Sequence, residues 1–481
     1  MAGSIKTGER AEMAQNAGVA AGHAAMNASL EPSGSTLSQH EPLHLSTMHS
    51  EPGMVHVVGG GLAGLSAALD LAEAGRRVCV YEAGPACGGR ARSYEDRQLG
   101  CRIDNGNHLL LSANHATFAF LDRIGAGNTL TGPDAPLFPF VDLKARLHWT
   151  LRLSHGRIPW WVFDRRRRVP GMRLRELMSL VRLLRARPGA SVADCLVPGA
   201  LADRLLIPLS IAVLNTQPDA GSATLMAAMM RESLAKGGSA CLPRFPLLGL
   251  SESFVNPALQ RLRGLGAVIR TGCRVSGLQA DGGVLRALVL PEGEMRLGEG
   301  DQVVLALPAS VAAELAAGVL PALTVPDRFE SIANLHYRVA LASQLTGDLA
   351  CAGFLGIVGG VSEWAFVKKD VISVTISAAN HLAARDNDSL AAQVWHELRA
   401  ALSPWMKPGL ELPEQPPAWR VLRERRATFA ATAQQEALRP GSRTALKNLV
   451  LAGDWTATGL PATIEGAIRS GSTAARLLAA T

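Results

Sequence analysis

Hydrophobic residues take up a regular pattern from Met54 onward, and the pattern soon changes its period. A β-branched run predicts a strand over 54–58, and apolar residues at helical spacing predict a helix over 62–74. A second short apolar run predicts a strand over 77–82. Strand, helix and strand in this order are the beginning of a βαβ unit.

The pattern along the rest of the chain separates helical stretches from strand-rich ones. Residues 113–240 are predicted to be mostly helical, and apolar spacing is clearest at 173–186, 223–234 and 390–402. Alternating or β-branched segments predict strands at 267–275, 284–290, 302–307 and 371–377. The chain ends as it begins, with a strand, a turn and a helix at 448–451, 453–461 and 463–478.

These elements predict an α/β protein with a discontinuous Rossmann-type dinucleotide-binding domain and an inserted α+β substrate-binding domain. The first and last βα units would belong to one sheet, although most of the chain separates them. The predicted divisions are a disordered extension over 1–53, a dinucleotide-binding domain over 54–112, 241–324 and 421–481, and a substrate domain over 113–240 and 325–420.

Composition allows a large globular core and disfavours several other classes of protein. The chain has 481 residues, of which 48% are hydrophobic. Residues 1–53 show no sustained apolar period and no run of the signal-peptide kind. No stretch reaches the roughly 18 to 20 apolar residues of a membrane-spanning helix. Seven scattered cysteines without a CxxC pair favour neither a disulfide framework nor a zinc site, and no metal is expected.

Glycines lie at the three positions of the dinucleotide turn between the first strand and the first helix. Gly59 permits the tight turn, Gly61 lets the backbone approach a pyrophosphate, and Gly64 allows close helix packing. Leu62 and Ala63 begin the helix, whose N-terminus offers free N–H donors and positive potential to the same phosphates. The strand before and the helix after make the motif more specific than the glycines alone.

A carboxylate and a second glycine turn follow the second strand. Glu82 ends that strand, where it can accept hydrogen bonds from both ribose hydroxyls, and its charge argues against a 2′-phosphate. Gly88 and Gly89 let the backbone pass close to the cofactor, and Arg90 or Arg92 can neutralise pyrophosphate charge. This second turn favours FAD over NAD.

Further cofactor contacts are predicted later in the chain. Gly453 and Asp454 follow a buried strand, and the carboxylate can bind a ribityl hydroxyl. Thr463 and Ile464 begin the final helix, whose N-terminus can stabilise the negative charge of a reduced isoalloxazine. Val275, at the end of the strand-like 267–275 segment, is an additional candidate contact.

Together these segments resemble the FAD-dependent amine oxidase and phytoene desaturase superfamily over residues 54–481. Four segments more narrowly resemble the squalene-associated FAD-dependent enzymes, the hydroxysqualene dehydroxylases of bacterial hopanoid synthesis. They are 104–111 (DNGNHLLL), 214–216 (LNT), 426–429 (RATF) and 453–466 (GDWTATGLPATIEG). The chain departs from that family at Cys87, and at Ala457 where the family has Asp.

The resemblance implies reduction of hydroxysqualene to squalene, with the carbinol oxygen leaving as water and reduced FAD supplying the electrons. Protonation of the alcohol would leave a resonance-stabilised cation that accepts hydride. Asp104, Asn107 and His108 follow the FAD-binding segment and are candidates for a general acid or for orienting the carbinol. A structural role, in which Asp104 holds the turn and His108 caps a loop, stays equally open.

The substrate is a long membrane hydrocarbon, and the sequence contains a candidate membrane surface. Basic residues dominate 146–187, including the run at 165–168, and lie beside the aromatic segment 158–163 and the predicted helix. Cations and tryptophans beside an apolar face suit an anionic bilayer. We therefore expect a cytoplasmic protein at the inner face of the cytoplasmic membrane, reduced by an external electron donor since no second nucleotide motif is present.

Three other functions compete with this one. A carotenoid-type desaturase would use the same fold and cofactor with the opposite electron flow, and a noncatalytic flavoprotein could bind isoprenoids as a scaffold. An amine oxidase is disfavoured because the chain has only three tyrosines, at 81, 94 and 337, and no pair to form an aromatic cage. The net charge of +7 permits nucleic-acid binding, but no binding module is recognised and none is expected.

Overall fold

The computed structural model describes residues 46–50 and 53–480. Within them the chain forms 21 strands: β1 Ser46–His49, β2 Met54–Val58, β3 Arg77–Tyr81, β4 Ser93–Asp96, β5 Cys101–Asp104, β6 Leu110–Leu111, β7 Leu130–Thr131, β8 Leu137–Asp142, β9 Leu147–Arg152, β10 Pro243–Pro246, β11 Val268–Arg270, β12 Gly277–Asp281, β13 Val284–Leu290, β14 Gly293–Arg296, β15 Gln302–Leu305, β16 Phe329–Arg338, β17 Phe354–Val358, β18 Trp364–Val367, β19 Val371–Ile376, β20 Trp419–Phe429 and β21 Leu449–Leu451.

The same described residues form twelve α-helices: α1 Leu62–Glu73, α2 His115–Arg123, α3 Met178–Leu184, α4 Val192–Cys195, α5 Ile207–Leu214, α6 Ala223–Glu232, α7 Asn256–Gly264, α8 Ala309–Ala316, α9 Gly347–Ala352, α10 Asn387–Leu402, α11 Ala433–Ala437 and α12 Ile464–Ala479. Helices α5 and α7 each continue a π-helical segment, at Ala202–Leu206 and Ser251–Val255.

A parallel sheet with strand order β11-β3-β2-β15-β21 forms the core of one half of the fold. Its strands are almost wholly apolar because both faces of such a sheet are covered. Helices α1 and α12 pack closely, since a Cβ added to Gly471 would lie 2.2 Å from the carbonyl oxygen of Ala63. The opening strand, helix and strand agree with the sequence prediction to within a residue.

The strands of this sheet come from three separate parts of the chain. β2 and β3 lie within 54–112, β11 and β15 within 241–324, and β21 within 421–481. The three parts predicted to make up the dinucleotide-binding domain therefore share one sheet. The boundaries drawn between the domains stay a prediction.

The other half of the fold is a seven-stranded sheet with order β20-β16-β19-β18-β17-β8-β9. All neighbours are antiparallel except β17 and β8. One face packs on α10 through a core that includes Leu335, Val374 and Trp395. The opposite face carries the residues described below.

The prediction that 113–240 is mostly helical was wrong for part of that range. Residues 130–152 contain β7, β8 and β9, and the last two form the end of the seven-stranded sheet. The two strands are joined by a tight turn in which Arg146 has a φ of 51°. Short aromatic strands of this kind resemble buried helical segments in sequence, and only pairing with β17 decides between them.

The predicted disorder of 1–53 was also wrong for its last part. Strand β1 pairs in parallel with β14, from Ser46 beside Gly293 to His49 beside Arg296. Backbone hydrogen bonding to a sheet edge needs little apolar periodicity, so composition did not indicate it. Residues 1–45 and 51–52 lie outside the described residues.

None of the helices in the described part of the chain has the length and apolar character needed to cross a bilayer.

Candidate active site

Because the five strands of the parallel sheet run in one direction, the segments that follow them meet at one edge. These segments are Gly59–Gly64 after β2, Glu82 after β3, Val275 beyond β11, Ala306 after β15, and Gly453 with Asp454 after β21. Most of the cofactor residues predicted from the sequence thus lie at the same edge.

The first turn tolerates only glycine at two of its positions. Gly59 has a φ of 111°, and a Cβ there would lie 2.3 Å from the carbonyl oxygen of Ala306. A Cβ on Gly64 would lie 2.0 Å from the carbonyl oxygen of Gly59. At Gly61 an added Cβ would meet no atom within 4 Å, so this glycine faces open space. Two glycines therefore make the turn, and the third leaves room for a ligand.

The N-terminus of α1 points its free donors at that space. Leu62 and Ala63 are its first residues, and Gly61 precedes them as an N-cap without a side chain to bond their N–H groups. Such uncapped N–H groups suit a phosphate.

The second glycine turn lies directly against the first. The N–H of Gly88 donates to the carbonyl oxygen of Gly60 at 2.8 Å, and Gly88 and Gly89 have φ values of 117° and 56°. The carboxylate of Glu82 accepts from the N–H groups of Gly60 and Gly84 at 3.0 and 2.7 Å. Glu82 is thus placed beside the turn, where a ribose would follow the pyrophosphate.

The structure pairs two of the predicted cofactor residues with each other. Nη2 of Arg90 donates to both carboxylate oxygens of Asp454 at 2.8 Å, and Nη1 donates to the carbonyl oxygen of Ala427. The pKa of Arg90 is raised, chiefly by the charge of Asp454. Arg92 is exposed and has no side-chain partner among the described residues. Arg90 therefore joins the first and last parts of the sheet edge, and Arg92 is the arginine free to meet an anion.

The end of the chain completes this edge. The hydroxyl of Thr463 accepts from the N–H of Gly466 at 3.0 Å and caps α12, which begins at Ile464. The next residue, Glu465, is buried, and its carboxylate accepts from the N–H groups of Ala116 and Thr117 at 3.1 and 2.8 Å. Thr463 and Ile464 thus open α12, while Glu465 fixes α12 to the N-terminus of α2.

At Val275 the candidate contact is the backbone rather than the apolar side chain. The residue is buried, yet neither its N–H nor its C=O forms a hydrogen bond with another described residue. Because buried backbone groups are nearly always paired, the N–H and C=O of Val275 are candidates for hydrogen bonds to the cofactor. The open space at Gly61, the free donors of α1 and these backbone groups together fit FAD.

Sequence reasoning missed Arg439, which holds the 453–461 loop. The side chain is buried and stacks 4.8 Å over the ring of Phe429. It donates to the carbonyl oxygens of Leu460, Asp454 and Thr456 and to the hydroxyl of Thr458. Nothing near Arg439 in the sequence marks it, because its four acceptors lie on a loop that folds back over it.

A charged cluster lies beside the FAD edge, where 104–111 approaches the seven-stranded sheet. The buried carboxylate of Asp104 accepts from the hydroxyl of Ser93, the N–H of Leu250 and the ammonium of Lys368. The Lys368 side chain is only 17% exposed. Lys368 was not predicted, since a lysine in a strand-connecting turn ordinarily faces solvent.

His108 and His336 border this ion pair. Burial lowers the pKa of each imidazole to about 4, opposed by the charge of Asp104 and reinforced by that of Lys368. Both rings are therefore neutral at pH 7. The charge of Arg90 also lowers the pKa of His108. Of the two roles predicted for His108, neutrality favours orienting a hydroxyl over donating a proton.

Asn107 belongs to a polar network on the seven-stranded sheet. Its Nδ2 donates to the hydroxyl of Thr375 at 3.1 Å, and that hydroxyl donates to Oδ1 of Asn334 at 2.8 Å. Nδ2 of Asn334 donates to the carbonyl oxygen of Asn105 at 3.1 Å. Oδ1 of Asn107 is buried with no partner in the described structure. The network fixes the 104–111 segment and leaves one acceptor free.

Two of the motifs that carried the family resemblance meet in space. Nδ2 of Asn215 donates to the hydroxyl of Thr428 at 2.9 Å, and Oδ1 accepts from the N–H of Ala378 at 2.6 Å. Asn215 ends α5 with a φ of 48°, a conformation that asparagine tolerates better than most residues. The 214–216 and 426–429 segments thus join helix to sheet.

We expect His336 to make the protein less stable in mild acid. Burial lowers the pKa of His336 from the ordinary histidine value of 6.5 to about 4 in the folded protein, so the unfolded chain binds the proton first as pH falls. The penalty is absent at pH 7 and reaches about 2 kcal/mol at pH 5. His336→Asn should therefore lose less stability than wild type between pH 7 and pH 5 in urea titrations. His396→Asn, at an exposed position on α10, is the control and should behave like wild type.

The fold and the site define a flavoprotein with a split dinucleotide-binding domain. A family model described as flavin containing amine oxidoreductase matches residues 62–479. An oxidoreductase from Methanosarcina mazei superposes with a TM-score of 0.64 at 15% identity, covering 87% of this chain and 99% of its own. The predicted fold class and the FAD cofactor are confirmed.

Sequence relatives narrow the family. The chain is 42% identical over 426 residues to a hydroxysqualene dehydroxylase of Zymomonas mobilis, covering 88% of this chain and 98% of that protein. It is 43% identical over 428 residues to one of Rhodopseudomonas palustris, covering 89% and 98%. The chain therefore belongs to the flavin-containing amine oxidoreductases and, among them, to the family of the hydroxysqualene dehydroxylases.

Proposed function

We propose that this protein reduces hydroxysqualene to squalene, with FAD as the cofactor. The observation that carries the proposal is a change from polar to aromatic side chains across one face of the seven-stranded sheet. One row of paired positions runs from the FAD edge outward, through Asn334, Thr375, Trp364, Gly356, Phe140 and Trp149. A parallel row is His336, Ser373, Phe366 and Phe354.

Such a face suits a molecule with one hydroxyl in a long hydrocarbon. The hydroxyl would lie over β16 and β19, beside His108 and Asn107. The hydrocarbon would lie over the aromatic side chains of β18, β17, β8 and β9. Phe140 stacks on Trp149 with 5.4 Å between ring centroids, and Trp364 meets Phe140 edge-on at 5.5 Å. The three rings are 2–7% exposed and belong to an apolar core that carries no charge.

Different residues would then bind the substrate hydroxyl, position Lys368 and exclude water. Bound FAD, once reduced, supplies the hydride. Neutral His108 and the free oxygen of Asn107 would hold the substrate hydroxyl by hydrogen bonds, and Asp104 would hold Lys368 beside them. The dry aromatic face would exclude water from the cation that forms when the carbon–oxygen bond breaks.

An anaerobic single turnover tests the function. Photoreduced protein mixed with hydroxysqualene should return to the oxidised flavin spectrum and yield squalene. Oxidised protein mixed with phytoene and an electron acceptor should yield nothing. Desaturated phytoene with unchanged hydroxysqualene would show a carotenoid-type desaturase instead. No spectral return with either substrate would show a noncatalytic flavoprotein.

Membrane contact is part of the same proposal and is supported by an exposed apolar surface. We call it the Trp160 surface, and its members are Ile158, Trp160, Phe163, Leu174, Met178 and Val181, from 40% to 65% exposed. The aromatic core under the sheet extends to this surface through Trp161, Val162 and the partly buried Leu177 and Leu180. The Trp160 surface would thus bring this apolar region of the protein to the lipid in which the substrate dissolves.

The charges around the Trp160 surface suit an anionic bilayer. Arg165 and Arg166 are exposed, as are the five arginines of the following helix region, Arg173, Arg175, Arg182, Arg185 and Arg187. Arg167 and Arg168 instead donate to the carbonyl oxygens of Leu153 and Val162 and brace the loop. An external donor, at the inner face of the cytoplasmic membrane, would reduce the flavin.

Removing two aromatic side chains should weaken this contact. Trp160→Ala combined with Phe163→Ala should lower affinity for vesicles of phosphatidylglycerol and phosphatidylcholine roughly tenfold or more, because both rings are over 60% exposed. Sedimentation with the vesicles measures it. Leu410→Ala, at a 43% exposed leucine elsewhere, is the matched control. Equal binding by all three proteins would exclude the Trp160 surface as the attachment site.

A further inference from the structure

Two neighbouring lysines in the turn between β18 and β19 differ in exposure to solvent. Lys369 is exposed, whereas Lys368 turns inward to the buried carboxylate of Asp104. Burying an ammonium is costly unless it is paired. A turn at the surface could place both lysines in water, so the inward position of Lys368 calls for an explanation.

The ammonium of Lys368 keeps unused donors. It has three N–H groups, and Asp104 is its one hydrogen-bond acceptor among the described residues. The other oxygen of Asp104 is occupied by Ser93 and Leu250. Asp104 therefore fixes the position of Lys368 while two of its protons stay available. His108, whose pKa responds to Lys368, likewise has no side-chain hydrogen bond in the described structure.

The other groups of the cluster are poor proton donors at neutral pH. His108 and His336 are neutral because burial lowers the pKa of each to about 4. Arg90 is held by Asp454, and a guanidinium does not release its proton. Burial raises the pKa of Glu363 to about 7, but Glu363 precedes β18 while Lys368 follows it. Five residue steps of extended chain put the Cα atoms of Glu363 and Lys368 roughly 16 Å apart, so Glu363 is not part of this cluster.

We infer that Lys368 donates the proton that turns the substrate hydroxyl into water. The inference rests on the proposed function. The carbon–oxygen bond breaks, its electron pair leaves with the oxygen, and the proton passes from the ammonium to that oxygen. A hydride supplied by reduced flavin forms the new carbon–hydrogen bond. The neutral amine regains a proton from solvent before the next turnover.

Substitutions of Lys368 distinguish the effect of its transferable proton from the effect of its positive charge. Lys368→Met should slow the single turnover at least about 100-fold, the usual contribution of a general acid. Lys368→Arg keeps the positive charge and the pairing with Asp104 but holds its proton, so it should be nearly as slow. Lys369→Met is the matched control and should keep the wild-type rate. Binding of hydroxysqualene to the oxidised protein, followed by the flavin spectrum, should change less than threefold throughout.

Small cations provide a second measurement. Methylammonium should restore turnover to Lys368→Ala, whereas guanidinium, equally charged but not acidic, should not. If Lys368→Met misfolds because Asp104 is left unpaired, Lys368→Met combined with Asp104→Asn removes both charges and should still be slow. A Lys368→Arg protein within threefold of wild type, or equal rescue by both cations, overturns the inference. Wild-type protein that leaves hydroxysqualene unchanged would reject the proposed function itself.

Discussion

Gly61→Ala should give a folded protein that has lost its flavin. An alanine Cβ at this position meets no protein atom within 4 Å, and the backbone, with a φ of −76°, suits any residue. The added methyl group enters only the space before α1, where the pyrophosphate must approach the backbone. We expect the affinity for FAD to fall about 100-fold or more, which is about 2.7 kcal/mol.

Titration of the apoprotein with FAD, followed by protein fluorescence, measures this loss. Unfolding of the two apoproteins in urea should coincide, which separates the effect from a loss of stability. Gly264→Ala, at the last residue of α7 where an added Cβ also meets nothing within 4 Å, is the control and should bind FAD as wild type does. A Gly61→Ala protein that purifies with a full complement of flavin would show that the pyrophosphate lies elsewhere.

Arg439→Lys should be among the most destabilising conservative changes in this chain. The guanidinium serves four oxygen acceptors on the 453–461 loop, including the carbonyl of Asp454, and stacks on Phe429. A lysine keeps the charge but cannot reproduce the planar fork, so buried carbonyl oxygens lose their donors. We expect the free energy of unfolding to fall by about 3 kcal/mol or more.

The same change should reduce flavin retention, because the loop carries Asp454 and leads into the N-terminus of α12. Urea unfolding of the apoprotein gives the stability, and the flavin-to-protein absorbance ratio gives the retention. Arg443→Lys, at an exposed arginine four residues later, should leave both unchanged. Unchanged stability in Arg439→Lys would mean that the loop is held by its other contacts.

Much of the candidate cofactor site could be predicted from the sequence because its chemistry is local. Gly59, Gly61 and Gly64 belong to a turn whose strand and helix are its immediate neighbours, so spacing and period suffice to predict it. The same holds for the closing strand, turn and helix at the end of the chain. The pairing of Arg90 with Asp454 did not follow, because each has a plausible role alone and only folding brings residues so far apart in the chain into contact.

The candidate substrate site on the seven-stranded sheet could be predicted only in part from patterns of neighbouring residues in the sequence. The sequence marked 104–111 through its resemblance to a family, but the structure supplied Lys368 and the polar-to-aromatic row across six strands of the sheet. The row joins residues from β16, β19, β18, β17, β8 and β9, whose order in the sheet differs from their order in the chain.

By itself, then, the sequence determined the nucleotide turn, the α/β class and the acidic ends of two strands, since each depends on residues close together in the chain. Tertiary structure alone decided which lysine turns inward to Asp104, which loop Arg439 holds and where β8 and β9 lie. Each of these depends on contacts with residues distant in the chain, and the identity of one residue does not show which distant residue it will contact.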